Sequence, residues 1–296
     1  METSLPTVSV GLPVYNGERF LARALDALLA QTFTDFEIII CDNASQDSTA
    51  RICAEYAVRD GRIRVYRNAE NIGAAPNYNL TVELARGEFF KWVTHDDWHG
   101  PRSLELAVAA MRAHPDASLC VTGVSVVDEL GTEIGSWIPP ADLIDRSPQT
   151  RLHRLIWTMG EPHPTYGLHR LSTLRQTSMM ESYVGSDRTL LARIALQGPI
   201  VPIPDVLHFF TVDRRRPPRR LATYTNPANA RQLPLRTWRV LFGHLDAVRR
   251  SRASVREKTF LTGSVIGRFA GRDFRRLIAE IVYSARVLAA RSIQRS

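Results

Sequence analysis

Residues 7–114 alternate between short apolar runs and amphipathic segments, and this alternation restricts the fold more than any other feature of the sequence. The run FEIIICDNA at 36–44 is mostly apolar, which is typical of a strand buried on both faces of a parallel sheet. The amphipathic segments place their apolar residues on one helical face. Strands are predicted at 7–15, 36–44, 63–68 and 88–97, and helices at 18–31, 47–60, 75–87 and 101–114. This order predicts an α/β fold with a doubly wound, mainly parallel sheet and right-handed crossovers.

The second half of the sequence departs from this regular alternation. A strand is predicted at 118–131, a helix at 186–198, and a strand at 199–212 whose prolines favour the edge of the sheet. RRRPPRR at 214–220 indicates a linker, and the arginine-rich remainder is predicted to be helical. We therefore expect a mixed sheet within residues 1–213 and a basic helical C-terminal extension in residues 214–296.

Charge is distributed unevenly along the chain. Residues 1–213 carry 18 Lys and Arg against 26 Asp and Glu, a net charge of −8, whereas residues 214–296 carry 20 against 4, a net charge of +16. A basic segment of this kind favours an anionic partner. We expect an anionic membrane surface and not nucleic acid, because the segment lacks the interleaved aromatic and basic residues on which bases could stack.

Two predicted helices in this extension, 235–250 and 272–291, combine apolar residues with arginines at helical spacing. In the second helix six apolar residues fall on one face: Phe274, Leu277, Ile278, Ile281, Val282 and Leu288. That face suits an anionic lipid surface, where each arginine that reaches the surface contributes roughly 1 kcal/mol. The alternative is that the helices dock on the acidic remainder of the chain. No stretch approaches the roughly 20 apolar residues of a membrane-spanning helix.

Cysteine content bears on the cellular compartment. The three cysteines, Cys41, Cys53 and Cys120, form no C-x-x-C pair, which argues against a disulfide framework or a structural zinc site and favours a reducing compartment. The N-terminus has neither the basic nor the apolar segment of a signal peptide. We therefore expect a cytoplasmic protein, soluble or peripheral at the inner face of the cell membrane, with its oligomeric state left open.

Polar, turn-forming stretches follow three of the predicted strands: PVYNGE, CDNASQDS and THDDW. In open α/β sheets ligands bind in the crevice beyond the carboxyl ends of the strands, so three such stretches together indicate a site. The adjacent carboxylates of Asp96 and Asp97 suit a hard divalent cation such as Mg²⁺ or Mn²⁺, although a solvated surface pair is the simpler alternative. Asp42 can accept a hydrogen bond from a nucleobase, or it can cap the following helix.

These motifs follow one another in a specific order. PVYN at 13–16, D-N-A-S-x-D at 42–47, N-x-G at 71–73, N-x-N at 77–79 and the acidic pair are similar to the motifs of family-2 inverting glycosyltransferases of the GT-A fold. The resemblance covers roughly residues 7–212. It implies a nucleotide-sugar-binding half at 1–115 and an acceptor half at 116–213. It also implies transfer of a sugar from a nucleotide-diphosphate sugar, UDP- or dTDP-linked, to a hydroxyl of a glycan or lipid-linked acceptor.

The resemblance assigns donor-binding roles to particular residues. Pro13 and Tyr15 would line the uridine side of the donor pocket, and Asp42 would bind the nucleobase. Three further residues would lie beneath the donor: Asn71, Gly73 and Asn79. Each role has a structural alternative, because a tyrosine can pack at a strand end, a glycine can permit a turn, and an asparagine can cap a helix.

For the acidic pair, the resemblance implies that Asp96 lies near the ribose and that Asp97 holds the metal ion, Mn²⁺ or Mg²⁺, that bridges the diphosphate. Asp187 would be the base that takes the proton of the attacking hydroxyl. The alternative for Asp187 is a cap at the N-terminus of the helix at 186–198.

Two departures from the family pattern affect the metal site. Thr94 stands where the family often has a further Asp, so the acidic motif is reduced to Asp96 and Asp97. The strand at 199–212 often ends in a histidine, and here Asp213 stands at about that position with His208 upstream. We therefore leave the third metal ligand open.

Two other functions compete with sugar transfer. A sugar nucleotidyltransferase has a similar sheet but usually carries a Gly-rich, basic loop after the first strand, which PVYNGERF lacks. A non-catalytic scaffold with a decayed site would have no need of all four carboxylates, and Asp42, Asp96, Asp97 and Asp187 are all present. Sugar transfer is therefore the function that the sequence favours.

Overall fold

The computed structural model describes residues 5–158, 163–212 and 235–293. Its strands are β1 (Val8–Val14), β2 (Phe36–Asp42), β3 (Ile63–Arg67), β4 (Phe89–Trp92), β5 (Trp98–His99), β6 (Leu119–Val127), β7 (Glu133–Trp137), β8 (Leu168–Arg170) and β9 (Ile200–Thr211). Its α-helices are α1 (Leu21–Leu29), α2 (Thr49–Arg59), α3 (Ala74–Glu83), α4 (Ser103–Ala113), α5 (Pro148–Thr158), α6 (Leu171–Leu174), α7 (Ser186–Gln197), α8 (Arg236–Arg250), α9 (Val255–Arg272) and α10 (Phe274–Ile293). Asp213 and the predicted linker at 214–220 lie outside the described residues, so the domain boundary there stays a prediction.

The strands of the described residues form one sheet, in the order β3-β2-β1-β4-β8-β6-β9-β5, with β7 paired to β6. The first four strands along the chain pair in parallel, as the alternation of strands and helices requires. β8 runs antiparallel to both β4 and β6, whereas β6 and β9 are parallel. The predicted mixed, mainly parallel sheet is confirmed.

Helices cover both faces of the sheet because side chains alternate along each buried strand. In β2, Ile38 and Ile40 pack with α1, α2 and α4, whereas Ile39 and Cys41 pack with α3, α5 and α7 on the opposite face. All residues of β2 are buried, as its apolar sequence leads us to expect. The doubly wound arrangement is therefore confirmed.

The acidic pair lies in a different local structure from the predicted one. β4 ends at Trp92, so Asp96 and Asp97 occupy the loop between β4 and the short β5 instead of the end of a long strand. Every residue of β4 is buried, and the strand pairs with β1 on one side and β8 on the other. Two adjacent carboxylates are therefore accommodated more easily in the loop than within this strand. The pair still lies beyond the carboxyl end of β4.

β9 is one strand away from the edge of the sheet, because Trp98 and His99 of β5 pair with its C-terminal part. The prolines of β9, Pro202 and Pro204, precede this pairing, where the outer side of the strand has no partner among the described strands. Proline lacks the N–H that a paired strand would need on that side. The predicted edge position is therefore correct for the proline-containing part of β9 and wrong for its C-terminal part.

The C-terminal helices α8 and α9 pack on α7 and α5 of the α/β body. Their shared core includes Leu152 and Ala192 from the body together with Val240 and Val265 from the extension. These side chains are buried because each helix turns its apolar face inward. The packing of α8 and α9 on the rest of the chain corresponds to the alternative to membrane binding that the sequence left open.

The third helix of the extension, α10, buries only part of its apolar surface. Leu277 is 6% exposed in the shared core, whereas Phe274 is 57% exposed, Ile278 46% and Ile281 47%. The side chain of Leu288 lies outside the described residues. None of the described helices has the length and apolar character that crossing a membrane requires.

Candidate active site

The carboxyl ends of β1, β2 and β4 meet because β1 lies between the other two strands. The loops that follow β1 and β2 are tied together, since the backbone N–H of Asn16 donates to Ser45 Oγ at 2.9 Å and that of Gly17 to Thr49 Oγ1 at 2.8 Å. A Cβ atom on Gly17 would lie 2.9 Å from His95 Cδ2, so the loop after β4 also reaches this point. A cavity of about 440 Å³ lies among the three loops. The polar stretches predicted to share one edge of the sheet are therefore adjacent.

Pro13 and Tyr15 mark the end of β1 at this edge. Pro13 pairs in register with Cys41 of β2, inside the buried sheet. Tyr15 follows the strand and is 37% exposed, with its ring available at the mouth of the loops. Tyr15 is therefore partly exposed and Pro13 is buried within the sheet, and their predicted places beside the uridine stay predictions.

Asp42 ends β2 and is 1% exposed. Its Oδ1 accepts a hydrogen bond from the Ser45 backbone N–H at 2.9 Å, and its Oδ2 lies 3.5 Å from Arg67 Nε without a hydrogen-bond partner. Asp47, and not Asp42, makes the bond expected of a residue that caps α2, because Asp47 Oδ1 accepts from the Thr49 backbone N–H at 3.0 Å. Asp42 Oδ2 is therefore buried, with an ion-pair contact to Arg67 and no hydrogen bond among the described residues.

Asn43 organises the loop that carries Asn71 and Gly73. Its Nδ2 donates to Asn71 Oδ1 at 2.9 Å and to the Gly73 carbonyl at 3.2 Å, and its Oδ1 accepts from the Ile72 backbone N–H at 3.0 Å. Gly73 has a φ of 91°, a conformation that favours glycine, and it precedes the first turn of α3. Sequence reasoning missed Asn43, although its position directly after Asp42 was the signal.

Asn79 joins α3 to the segment that leads into α7. Its Oδ1 accepts from the Met180 backbone N–H at 3.0 Å, and its Nδ2 donates to the Met180 carbonyl at 2.9 Å. This pair of bonds occupies both ends of the amide, so Asn79 holds the start of α7 near the donor side of the sheet. Its predicted role beneath the donor stays a prediction.

Asp97 is held rigidly by β9. It is 1% exposed, its Oδ1 accepts from the Thr211 backbone N–H at 2.9 Å, and its Oδ2 lies 3.1 Å from His208 Nε2. His208 Nε2 carries the proton in this contact when Asp97 is ionised, because a carboxylate only accepts. His208 stacks in turn on His99, with ring centroids 4.7 Å apart. The histidine that the sequence left unassigned is therefore a direct partner of the acidic pair.

Arg23 supplies positive charge beside Asp96 and Asp97. Its Nη2 donates to the Asp96 carbonyl at 2.8 Å, and its guanidinium lies 4.1 Å from the centre of the Trp98 ring. Burial lowers the pKa of Arg23, and Asp97 and then Asp96 act in the opposite direction. Arg23 comes from α1, and nothing in the sequence pattern of that helix distinguished it from a surface arginine.

The acidic pair offers an incomplete metal site. Among the described residues there is no group of three or more His, Cys, Asp or Glu side chains placed to hold an ion. Asp97 Oδ2 and His208 Nε2 are hydrogen-bonded to each other at 3.1 Å, so this nitrogen is a partner of the carboxylate and not an open ligand. Mg²⁺ commonly takes only one or two carboxylates and completes its shell with water and substrate phosphates. An ion at Asp97 would therefore depend on a bound diphosphate for most of its shell.

Asp187 lies in the first turn of α7, after Gly185, which has a φ of 96°. Its Oδ1 accepts from the Arg188 backbone N–H at 2.8 Å. The same N–H also donates to the Gly185 carbonyl at 3.1 Å. Asp187 is half-buried, and its roles as base and as cap both stay predictions.

Comparison with known proteins shows which proteins this chain resembles. A family model described as glycosyl transferase family 2 matches residues 9–170, a span that includes Asp42 and the acidic pair but neither Asp187 nor His208. The chain is similar to the putative glycosyltransferase EpsE of Bacillus subtilis, with 36% identity over 135 residues, which is 45% of this chain and 49% of EpsE. The chain thus spans about half the length of this relative.

Two solved structures resemble the whole fold. One is TarS 1–349 of S. aureus in complex with UDP-GlcNAc, with a TM-score of 0.69, 20% identity, and coverage of 89% of this chain and 72% of that chain. The other is the mannosyltransferase PcManGT from Pyrobaculum calidifontis in complex with GDP-Man and Mn²⁺, with a TM-score of 0.58, 19% identity, and coverage of 99% and 81%. At these identities the likeness concerns the fold, which is of the GT-A type.

Proposed function

Because the chain belongs to glycosyl transferase family 2, we propose that it transfers a sugar from a nucleotide-diphosphate sugar to a hydroxyl group of a glycan or lipid-linked acceptor. The donor is UDP- or dTDP-linked, and the reaction inverts the anomeric carbon. The observation that carries the proposal is the buried Asp97, held between Thr211 and His208 beyond the carboxyl end of β4. Asp42 ends the nearby β2, and its Oδ2 contacts Arg67 but has no hydrogen-bond partner among the described residues. The nucleotide sugars bound in the TarS and PcManGT structures support the same class of donor.

The donor residues act by binding and orientation. Asp42 accepts a hydrogen bond from the nucleobase through Oδ2, and the Asn43 network fixes Asn71 and Gly73 at the adjoining wall. Pro13 and Tyr15 border the uridine, Asn79 supports the donor from α3, and Asp96 binds the ribose. A buried carboxylate that is already oriented loses little entropy on binding, which favours both affinity and selectivity.

The reaction needs a stabilised leaving group and a base. A divalent cation, Mn²⁺ or Mg²⁺, would neutralise the diphosphate as it leaves; Asp97 would hold the cation, and His208 would orient Asp97 through their hydrogen bond. Asp187 accepts the proton of the acceptor hydroxyl as that oxygen attacks the anomeric carbon from the side opposite the diphosphate. The Asn79–Met180 hydrogen bonds tie the segment before α7 to α3, and so keep Asp187 in a fixed relation to the donor side.

The extension provides a surface for peripheral attachment to an anionic membrane. The exposed apolar residues of α10, Phe274, Ile278 and Ile281, lie on a helix that also carries Arg275 and Arg276. Apolar side chains and arginines on one helix suit insertion at the level of lipid headgroups, where both the burial of apolar area and the charge contribute. We infer that the protein works at the inner face of the cell membrane.

A binding screen with nucleotide sugars tests the donor proposal. The melting temperature would be measured in Mn²⁺ with UDP-, dTDP- and GDP-linked sugars, each compared with its free sugar. We expect one nucleotide class to stabilise the protein and Asp42→Ala to abolish that stabilisation. The matched control is Asp47→Ala, which removes a neighbouring carboxylate that caps α2. Absence of stabilisation by every nucleotide sugar would contradict the proposal.

A further inference from the structure

A cavity of about 770 Å³ lies between α5, α7 and the three helices of the C-terminal extension. Five arginines line it: Arg188, Arg236, Arg268, Arg272 and Arg276. Asp273 and Glu280 are its carboxylates, and His244 in its wall is neutral because burial lowers its pKa to about 4. The lining therefore carries a net charge of +3. We call this space the arginine cavity.

Both carboxylates of the arginine cavity are already engaged by the protein. The two oxygens of Glu280 accept from the Thr237 backbone N–H at 2.9 and 3.0 Å, at the start of α8. Asp273 is hydrogen-bonded to the buried Arg268 and lies 3.4 Å from Arg276. The two carboxylates of the cavity thus have fixed partners within the protein.

Several guanidinium groups keep free donors. Arg236 has no hydrogen-bond or ion-pair partner among the described residues, and Arg276 is 78% exposed with only its long contact to Asp273. Arg272 uses one N–H, which donates to the Trp157 carbonyl at 3.0 Å. Guanidinium groups stay charged at every physiological pH, so the attraction for an anion is permanent.

The arginine cavity adjoins the proposed base. Arg188 follows Asp187 directly in the first turn of α7. A Cβ atom on Gly185, which precedes that turn, would lie 2.8 Å from Val240 Cγ2 and 3.7 Å from Arg236 Nε. The guanidinium of Arg236 therefore reaches the start of the helix that carries Asp187. A group bound in the cavity would lie beside the place where the acceptor hydroxyl has to be deprotonated.

We propose that the arginine cavity binds a phosphate ester or diphosphate group of the acceptor, an inference that rests on the proposed function and defines the chemical class of its acceptor. Phosphate oxygens match the planar fork of N–H donors on guanidinium, and several arginines can share one phosphate or diphosphate. A net charge of +3 offsets the charge of a diphosphate ester, and the volume leaves room for part of the group attached to it.

A groove on α10 continues from the arginine cavity. Phe274, Ile278, Val282 and Tyr283 line this groove of about 620 Å³, and Ala279 borders both spaces. An acceptor whose phosphate is attached to a lipid would occupy the cavity and the groove together. A soluble phosphate ester would occupy the cavity alone. The two sources share the phosphate, and a test can separate them.

Calorimetric titration of the full chain with sodium pyrophosphate tests the site. EDTA is present, so that binding through a metal at Asp97 does not contribute. We expect binding that the double variant Arg236→Gln/Arg276→Gln weakens at least ~10-fold, since each lost guanidinium removes charge-assisted hydrogen bonds. The control is Arg252→Gln/Arg256→Gln, which changes net charge equally at two exposed arginines outside the cavity. Equal weakening in both variants, or no binding by the wild type, would overturn the proposal.

Two further measurements separate a loss of pyrophosphate binding at the arginine cavity from a loss of folding stability and from a failure at the donor site. Arg236 has no hydrogen-bond or ion-pair partner among the described residues, so Arg236→Gln should keep the wild-type melting temperature and still weaken pyrophosphate binding several-fold. Weak binding only in variants with a lowered melting temperature would count against the site. Donor-site stabilisation by nucleotide sugar should be unchanged in these variants, so a failure of the donor proposal and a failure of this one give different results.

Vesicle flotation distinguishes a lipid phosphate from a soluble phosphate ester as the ligand of the arginine cavity. Vesicles of phosphatidylcholine with phosphatidic acid are compared with phosphatidylcholine alone, with and without excess pyrophosphate. Release from the phosphatidic acid vesicles by pyrophosphate assigns the cavity to a lipid phosphate. Pyrophosphate binding together with flotation that pyrophosphate does not affect assigns it to a soluble phosphate ester. Either result supports the site.

Discussion

Substitution of His208 by leucine should uncouple Asp97 from its environment while nearly preserving side-chain volume. His208 Nε2 lies 3.1 Å from Asp97 Oδ2, and the two side chains are 3% and 1% exposed. After the substitution, the Thr211 backbone N–H at 2.9 Å is the one hydrogen-bond donor left to Asp97 among the described residues. A hydrogen bond to a charged group contributes roughly 1.5–3 kcal/mol to stability. The free energy of unfolding should fall by about that amount.

The loss of this hydrogen bond should also lower kcat/KM. If His208 orients Asp97 towards the cation and the diphosphate, about 1.5–3 kcal/mol of transition-state stabilisation corresponds to roughly a 10–100-fold lower kcat/KM. The assay is the release of nucleoside diphosphate as a function of Mn²⁺ concentration. We expect the Mn²⁺ concentration for half-maximal rate to rise with the fall in kcat/KM, because the carboxylate is no longer held in place.

Two control variants separate an effect on the Mn²⁺ dependence from a general loss of stability. His208→Gln keeps an N–H donor at comparable reach and should recover part of the activity. His169→Leu removes a histidine that is equally buried but bonds the Thr165 carbonyl at 2.8 Å, away from the acidic pair, and should lower stability without changing the Mn²⁺ dependence. An unchanged Mn²⁺ dependence in His208→Leu would refute the assignment of His208 as a partner of the metal site.

Three other variants test the burial of Lys91, the role of Asp187 and the membrane contact of α10. Burial lowers the pKa of Lys91 to about 8, so between pH 8 and its unfolded value near 10.5 the unfolded chain binds a proton that the folded chain has lost, and stability rises with pH. The wild type should gain about 2 kcal/mol relative to Lys91→Met between pH 7.5 and 10 in urea unfolding, and equal slopes would contradict this. Asp187→Asn should keep donor binding while turnover falls by ~10² to 10⁴-fold, whereas a loss of thermal stability alone would show that Asp187 is a cap. Phe274→Ser/Ile278→Ser should weaken flotation with anionic vesicles, and flotation equal to that of the wild type would exclude α10 as the membrane contact.

The α/β architecture could be predicted because its signals are local. The apolar runs and helical periodicities of residues 7–114 specify strands and helices one at a time, and their alternation implies parallel pairing with right-handed crossovers. The strand order β3-β2-β1-β4 is known only from the structure. The insertion of β8 between β4 and β6 could not be predicted, since its three residues carry no periodicity and its place depends on pairing with Phe89 and Cys120.

The sequence indicated the local position of those candidate residues that belong to short motifs. Asp42 ends β2, Asn71 and Gly73 precede α3, and Asp96 and Asp97 follow β4. The partners that hold Asp97 come from β9, more than a hundred residues away in sequence, and Arg23 comes from the face of α1. Such contacts depend on how the sheet closes, and a single sequence holds no local signal for them.

The rate of nucleoside diphosphate release in Mn²⁺ tests the central claim most directly. The nucleotide sugar that stabilises the wild type is incubated with wild type and with Asp97→Ala, in Mn²⁺ and in EDTA. The account predicts release by the wild type in Mn²⁺, loss of release in EDTA, and at least a ~100-fold lower rate for Asp97→Ala, as expected when the charge that stabilises the leaving group is removed. Equal rates for the two proteins in Mn²⁺ would contradict the assignment of the acidic pair as the catalytic centre.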